Sequence, residues 1–300
     1  TSSVQHRPLP ARYLRCALGG FALLLLQATA PGAHAQTPLE RLQRVLDEVE
    51  RGLSYVGQKA ENLLGPGLRI GEEPTAAYTA ERTFEERVPV DPTPTVYESN
   101  EFGTITVTTW EERVVQVQAE IRVGAETAEV AEEVASNFRV GVTSTEDLVE
   151  IRNLGADQPN QAQHLSIAVD YTITLPANSN LVCDNFFGDT VVRGVGGAVG
   201  VEAQYGALEL TELTGTVKAR MHGEFPLRVF GLQQGGQFQL HGALAEFSNL
   251  RGEVQISNFR GSTLVREIGR EATLDIDSDS GPVRVVLRED TLPELSATVL

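Results

Sequence analysis

Apolar and polar residues alternate in short stretches along the C-terminal half of the chain, and a glycine stands before each stretch. Gly188, Gly206, Gly223, Gly242, Gly261 and Gly281 recur at intervals of 18, 17, 19, 19 and 20 residues. The clearest alternations are Leu208/Leu210, Phe225/Leu227/Val229 and Val283/Val285. A second glycine series, Gly197, Gly215, Gly231, Gly252 and Gly269, falls between the members of the first. Each unit therefore predicts two short strands and two tight turns. One such unit cannot bury its own apolar face. Stacked units can, with each rung hydrogen-bonded to the next at about 4.8 Å. The pattern predicts an all-β fold over residues 95–300, a β-solenoid or β-helix of short Gly-punctuated rungs. A sandwich or irregular barrel is the alternative, but neither gives a reason for a constant unit length. Pro226 would remove a ladder donor and is expected at a turn or bulge.

The same module occurs once upstream, in Asn100-Glu101-Phe102-Gly103-Thr104-Ile105-Thr106-Val107, followed by alternation at Val115, Val117, Ala119 and Ile121. Between this copy and the main array the sequence predicts a helix from Thr127 to Phe138 and a strand through Leu148 to Ile151. An Asn/Gln-rich loop (Asn153 to Gln163) and a strand from Leu165 to Leu175 follow. The reading is an early rung with a long insertion. The Phe-Gly-Thr-Ile-Thr-Val opening, the strand end Tyr171-Thr172-Ile173-Thr174-Leu175-Pro176 and the repeats after it resemble the putative-adhesin family of bacterial cell-envelope proteins. The resemblance spans about residues 88–290. It implies a repetitive β architecture and an envelope location, and it brings no catalytic residues with it.

A different periodicity precedes the β region. Leu39, Leu42, Leu46, Val49, Leu53, Val56, Ala60 and Leu63 repeat at spacings of three and four, after a Thr37-Pro38-Leu39-Glu40 start that suits a capping box. One amphipathic helix is thus expected over 36–64, ended by Gly65-Pro66-Gly67. Two readings stay open: a partner-binding or self-associating coiled coil through residues 39–63, or a helix packed as a cap on its own domain. Gly52 and Gly57 inside it weigh against a free coiled coil, at about 1 kcal/mol each relative to alanine. Residues 65–94 carry five prolines and little periodicity and read as a linker. Arg7, Arg12 and Arg15, the apolar run Ala17 to Leu26 and the site Ala33-His34-Ala35 make residues 1–35 a secretory signal peptide, too short in its apolar run to span a bilayer. The expected location is the periplasm or the cell exterior, with no membrane insertion of the mature chain.

The formal charge is −17, and loss of three arginines and no acids with residues 1–35 makes it −20. Nucleic acid as a partner is excluded on that balance, since phosphate binding needs clustered Lys and Arg. Cys183 is the only cysteine after residue 35, so no internal disulfide is expected and the thiol should be buried. No G-x-S-x-G elbow, H-E-x-x-H motif or cysteine cluster occurs. Catalytic residues, cofactors and metal sites are therefore expected to be none. Asp275-Ile276-Asp277-Ser278-Asp279-Ser280-Gly281 misplaces the glycine and the twelfth-position acid of a calcium loop and reads as a strand with an acidic outer face. Gly194-Val195-Gly196-Gly197-Ala198-Val199-Gly200 reads as a rung turn. The residues before the repeat glycines, Phe102, Phe187, Tyr205, His222, His241, Arg260 and Ser280, should stack along one corner. Within that ladder Phe187, Tyr205, His222, His241 and Arg260 are the candidate ligand-facing residues; a strip for stacking sugars and a His222/His241 metal pair are the alternatives to plain scaffold.

The function expected is a non-enzymatic envelope module of structural or adhesion type, binding an envelope protein or polysaccharide. A polysaccharide-active β-helix enzyme, lyase or hydrolase, is the second reading. An envelope-sensing or assembly partner working through the N-terminal helix is the third.

Overall fold

The computed structural model describes residues 69–70, 77–145, 147–154, 165–287 and 295–299, with backbone alone at 69–70 and 295–299. The expected signal peptide, the helix over 36–64, the first part of the expected linker and most of the Asn/Gln-rich loop lie outside these residues. The described chain begins with β1 (Arg69–Ile70), β2 (Tyr78–Pro89), β3 (Thr95–Phe102), β4 (Ile105–Trp110) and β5 (Val114–Ala125). Helix α1 (Ala128–Asn137) follows, then β6 (Arg139–Ser144), β7 (Leu148–Leu154) and β8 (Ser166–Pro176). The regular array is β9 (Asn180–Phe187), β10 (Thr190–Arg193), β11 (Val199–Gln204), β12 (Leu208–Thr211), β13 (Val217–His222) and β14 (Pro226–Leu232). It continues through β15 (Gly235–His241), β16 (Leu244–Leu250), β17 (Glu253–Phe259), β18 (Ser262–Ile268), β19 (Thr273–Asp279), β20 (Val283–Val286) and β21 (Leu295–Val299).

The strands form two sheets, and the solenoid expected from the glycine spacing is present. Odd-numbered strands from β9 to β21 pair in parallel in one sheet, and even-numbered strands from β10 to β20 pair in parallel in the other. Six rungs, β9/β10 through β19/β20, each contribute one strand to each sheet. The upstream module is also a rung, because β3 pairs with β9 and β4 with β10. Stacking, however, departs from chain order. Strands β7 and β8 pair in parallel with β3 and β4 on the far side, so the insertion returns to build a rung outside the first one.

The parallel stack ends there through antiparallel partners. Strand β5 runs antiparallel to β8, β2 to β5, and β6 to β7. The expected linker therefore corrects in part to structure, since Tyr78–Pro89 is a twelve-residue strand. Its sequence hides this because Arg82 and Glu86 share a face with Ala80, Phe84 and Val88. Helix α1 packs on β2 and β5. Thr127 caps it by accepting from the Val130 amide (3.3 Å), and Ala131, Val134 and Ala135 face the core. Arg82 reaches Glu132 at 2.6 Å.

Inward side chains stack from rung to rung. One file runs Ile105, Thr190, Leu208, Leu227, Ala245, Thr263, and another Val107, Val192, Leu210, Val229, Phe247, Val265; all are buried. Each fully buried Leu or Val contributes about 1.5–3 kcal/mol relative to exposure. Between the sheets Phe238 meets Phe247 edge-on at 4.9 Å, and Gly236 leaves room beside Phe238. Pro226 opens β14 directly after a turn, where its missing donor is harmless.

Candidate corner site

The corner after β9, β11, β13, β15 and β17 carries every residue of the expected ladder from Phe187 to Arg260. Hydrogen bonds fix which positions are equivalent. The amides of Tyr205, Gly223, Gly242 and Arg260 donate to the carbonyls of His222, His241, Phe259 and Asp279 on the next rung. His222 pairs in register with Gln204 and His241, and His241 with Phe259. The single ladder expected from the glycines is thus two adjacent files, staggered by one residue. Phe187, Tyr205 and Arg260 belong to the turn position, and His222 and His241 to the last position of the strand. The reason is that a turn glycine can stand at either of two successive positions: Gly223 and Gly242 occupy the first, whereas Gly206 lies over Gly188 at the second.

The files make two groups of rings. Phe187 and Tyr205 stack with centroids 5.1 Å apart and planes 17° apart, and Phe186 meets both edge-on. His222 and His241 are tilted at 6.3 Å, His241 meets Phe259 edge-on at 4.9 Å, and the Arg260 guanidinium lies 4.9 Å from the Phe259 ring. Phe186 and Phe259 were missed by reasoning from the sequence. The doublets Phe186-Phe187 and Phe259-Arg260 are the signal that could have found them, because each fills both files at once.

Three side chains of the turn position are held at a backbone cost. Tyr205 has φ 50°, Arg260 φ 61° and Ser280 φ 62°, left-handed values at a position that the rungs between Tyr205 and Arg260 fill with Gly223 and Gly242. A side chain in that region costs roughly 1–2 kcal/mol. Tyr205 is nevertheless 52% exposed, and Arg260 is exposed too. Partial burial, the neighbouring His241 and Arg220 together hold His222 below the usual imidazole range. Around the corner, Asp189, Val191, Ala207, Glu209, Pro226 and Arg228 border a shallow cavity of about 130 Å³.

Carboxylates concentrate elsewhere. Glu98 points inward and is fully buried, its Oε2 accepting from Cys183 Sγ at 3.6 Å. Burial, then the nearby Asp184, pushes Glu98 well above the usual carboxylate range; burial likewise raises the Cys183 thiol, which is free and buried as expected. Asp184 and Glu202 are register partners on the opposite, outward side of this sheet and both are buried. Asp184 is pushed up to about 7 by burial, then by Glu202 and Glu101. Asp275, Asp277 and Asp279 lie exposed along β19, an acidic strand face as expected from the sequence. Among the described residues no three His, Cys, Asp or Glu side chains group as a metal cluster. Among the same residues no helix is long and apolar enough to cross a membrane.

No protein-family model and no curated protein matches the chain. Several solved structures of bacterial proteins match the chain at low identity. One from Bacteroides fragilis, a putative adhesin, is 12% identical with a TM-score of 0.38, covering 72% of this chain and all of its own. One from Parabacteroides distasonis, also a putative adhesin, is 10% identical with a TM-score of 0.27, covering 68% and 97%. A putative cell adhesion protein of Clostridium sporogenes is 9% identical with a TM-score of 0.26, covering 68% and 99%.

Proposed function

We propose that the chain is an exported, non-enzymatic module of the bacterial cell envelope that holds an extended polysaccharide or protein along its corner files. Tyr205 carries the reading: a half-exposed ring, stacked on Phe187 of the rung before, is kept in a left-handed conformation at a position that the rung after fills with Gly223. Such strain persists where the side chain it presents is used. Arg260 repeats the arrangement three rungs on, over Phe259. Flat aromatic faces and a guanidinium, spaced along parallel rungs, suit a partner that is itself extended. The leader-like residues 1–35 support export.

Binding of the full chain to soluble acidic and neutral envelope polysaccharides and to peptidoglycan fragments, by interferometry, tests this. Tyr205→Gly is expected to weaken binding at least tenfold while leaving Tm nearly unchanged. Glycine relieves about 1–2 kcal/mol of backbone strain and removes a ring stack of about 0.5–1.5 kcal/mol. Binding unaffected by both Tyr205→Gly and Arg260→Ala would sink the corner assignment. Polysaccharide turnover that one carboxylate substitution abolishes would replace the non-enzymatic reading with that of a β-helix lyase or hydrolase.

Self-association through residues 39–63 is a second contact in the same proposal, supported by the apolar seam. Charges placed on the seam should break it: Leu46→Glu with Leu53→Glu in the full chain is expected to lower the sedimenting mass to that of a monomer. An unchanged mass removes this contact from the scheme.

A further inference from the structure

His222 and His241 offer more than ring faces. They are direct register partners on the parallel strands β13 and β15, both project from the outer face of one sheet, and both are exposed. Their ring centroids are 6.3 Å apart with the planes tilted by 36°. A divalent metal lies 2.0–2.1 Å from a coordinating nitrogen, hence about 3.2 Å from the ring centroid, so two imidazoles sharing an ion have centroids about 5.2 Å apart at a tetrahedral angle and about 4.5 Å apart at a square-planar cis angle. The observed separation exceeds the tetrahedral value by about 1 Å, a gap that rotation of the two exposed side chains closes. Ladder hydrogen bonds on both sides of the pair fix the backbone spacing, which leaves only exposed torsions to adjust.

We propose that His222 and His241 form a two-imidazole site for a divalent transition-metal ion, with water completing its coordination. The donor set selects the class: paired imidazoles suit Cu²⁺, Ni²⁺ and Zn²⁺, whereas Ca²⁺ and Mg²⁺ require oxygen ligands. Arg220, on the same face, is the cation that opposes the site; its Nε donates to Gln239 Oε1 at 3.0 Å. The formal charge of −17 acts the other way and concentrates cations at the surface. The edge of the Phe259 ring limits how far His241 can turn from its partner. None of these features depends on whether the corner binds a polymer.

Calorimetric titration of the untagged full chain with CuCl₂, NiCl₂ and ZnCl₂ in separate runs, with glycine as a competing chelator, tests the site. One His-dependent equivalent is expected, with Cu²⁺ bound more tightly than Ni²⁺ and Zn²⁺. His222→Ala and His241→Ala should each weaken it at least tenfold, and His164→Ala should leave it unchanged. Electron paramagnetic resonance of the Cu²⁺ form should show two imidazole nitrogens in the wild type and one in either variant. Absence of a His-dependent equivalent for all three ions overturns the proposal. So does equal affinity in the wild type and both corner variants.

Discussion

Gly188→Ala is expected to lower Tm by roughly 10 °C, because the added methyl group would have to stand inside a neighbouring backbone. Gly188 has φ +133°, a conformation that side chains rarely adopt. A Cβ there would also fall far inside van der Waals contact with the Gly103 carbonyl, and a Cβ on Gly206 would do the same to Gly188. Three successive backbones thus stack at this corner with no room between them. Backbone cannot yield as a side-chain tip does, so relief requires separating two rungs. That disrupts ladder bonds on both sides and costs about 3–4 kcal/mol, equivalent to about 2–4 °C per kcal/mol in a chain of this size. Gly231 is the control. Its φ is +79°, but a Cβ would meet nothing nearer than 3.4 Å, so Gly231→Ala should cost only the conformational part, about 1–2 kcal/mol. Thermal melts of the two variants decide the matter: equal losses would mean that the corner adapts and the close approach is unimportant. Because each rung contacts only its neighbours, hydrogen exchange should show the Gly188→Ala loss concentrated in β3, β9 and β11.

The rungs were legible because each one repeats the same solution. An apolar alternation between turn glycines has few other uses, and the copy at Phe102–Val107 could be placed in the stack by its likeness alone. The helix after Thr127 was equally plain, since a capping threonine and three small apolar residues on one face suffice to define it. What escaped was set by contacts across the fold. Nothing in the sequence near Leu148 says that its strand will stack outside β3 rather than after it; that choice depends on which edge stays open once β9 has paired. Strand β2 escaped because its inner face mixes Arg82 and Glu86 with apolar residues, and only α1 and β5 make that tolerable. The corner files were merged because glycine permits both turn positions, whereas the structure separates Tyr205 from His222 by one residue of register. Glu98 points inward and Asp184, though on the outward side, is covered, so neither is told from a surface acid by residue type alone.

Those two acids set an unusual dependence of stability on pH. Both have folded-state values above their unfolded ones, Glu98 well above the ordinary range and Asp184 at about 7. A raised carboxyl favours folding while it stays protonated. Its contribution is therefore complete below about pH 4 and is lost as pH rises, through about 7 for Asp184 and higher for Glu98. Deprotonation of Asp184 alone then costs on the order of 4 kcal/mol by pH 8, because each unit of displacement is worth about 1.4 kcal/mol. The expected result is a Tm that falls between pH 5 and pH 8. Asp184→Asn and Glu98→Gln keep the shape of the protonated acids and cannot ionise. Each should come closest to the wild type at the acid end of the range, near pH 4.5, and exceed it by several degrees at pH 8. The surface acids, which also repel one another at high pH, are common to all three proteins and leave the difference intact. Melts of wild type and both variants at half-unit steps from pH 4.5 to 8.5 would show it. A constant gap across that range, in either direction, would mean that the buried carboxyls remain charged throughout and that the core of the first rungs tolerates them.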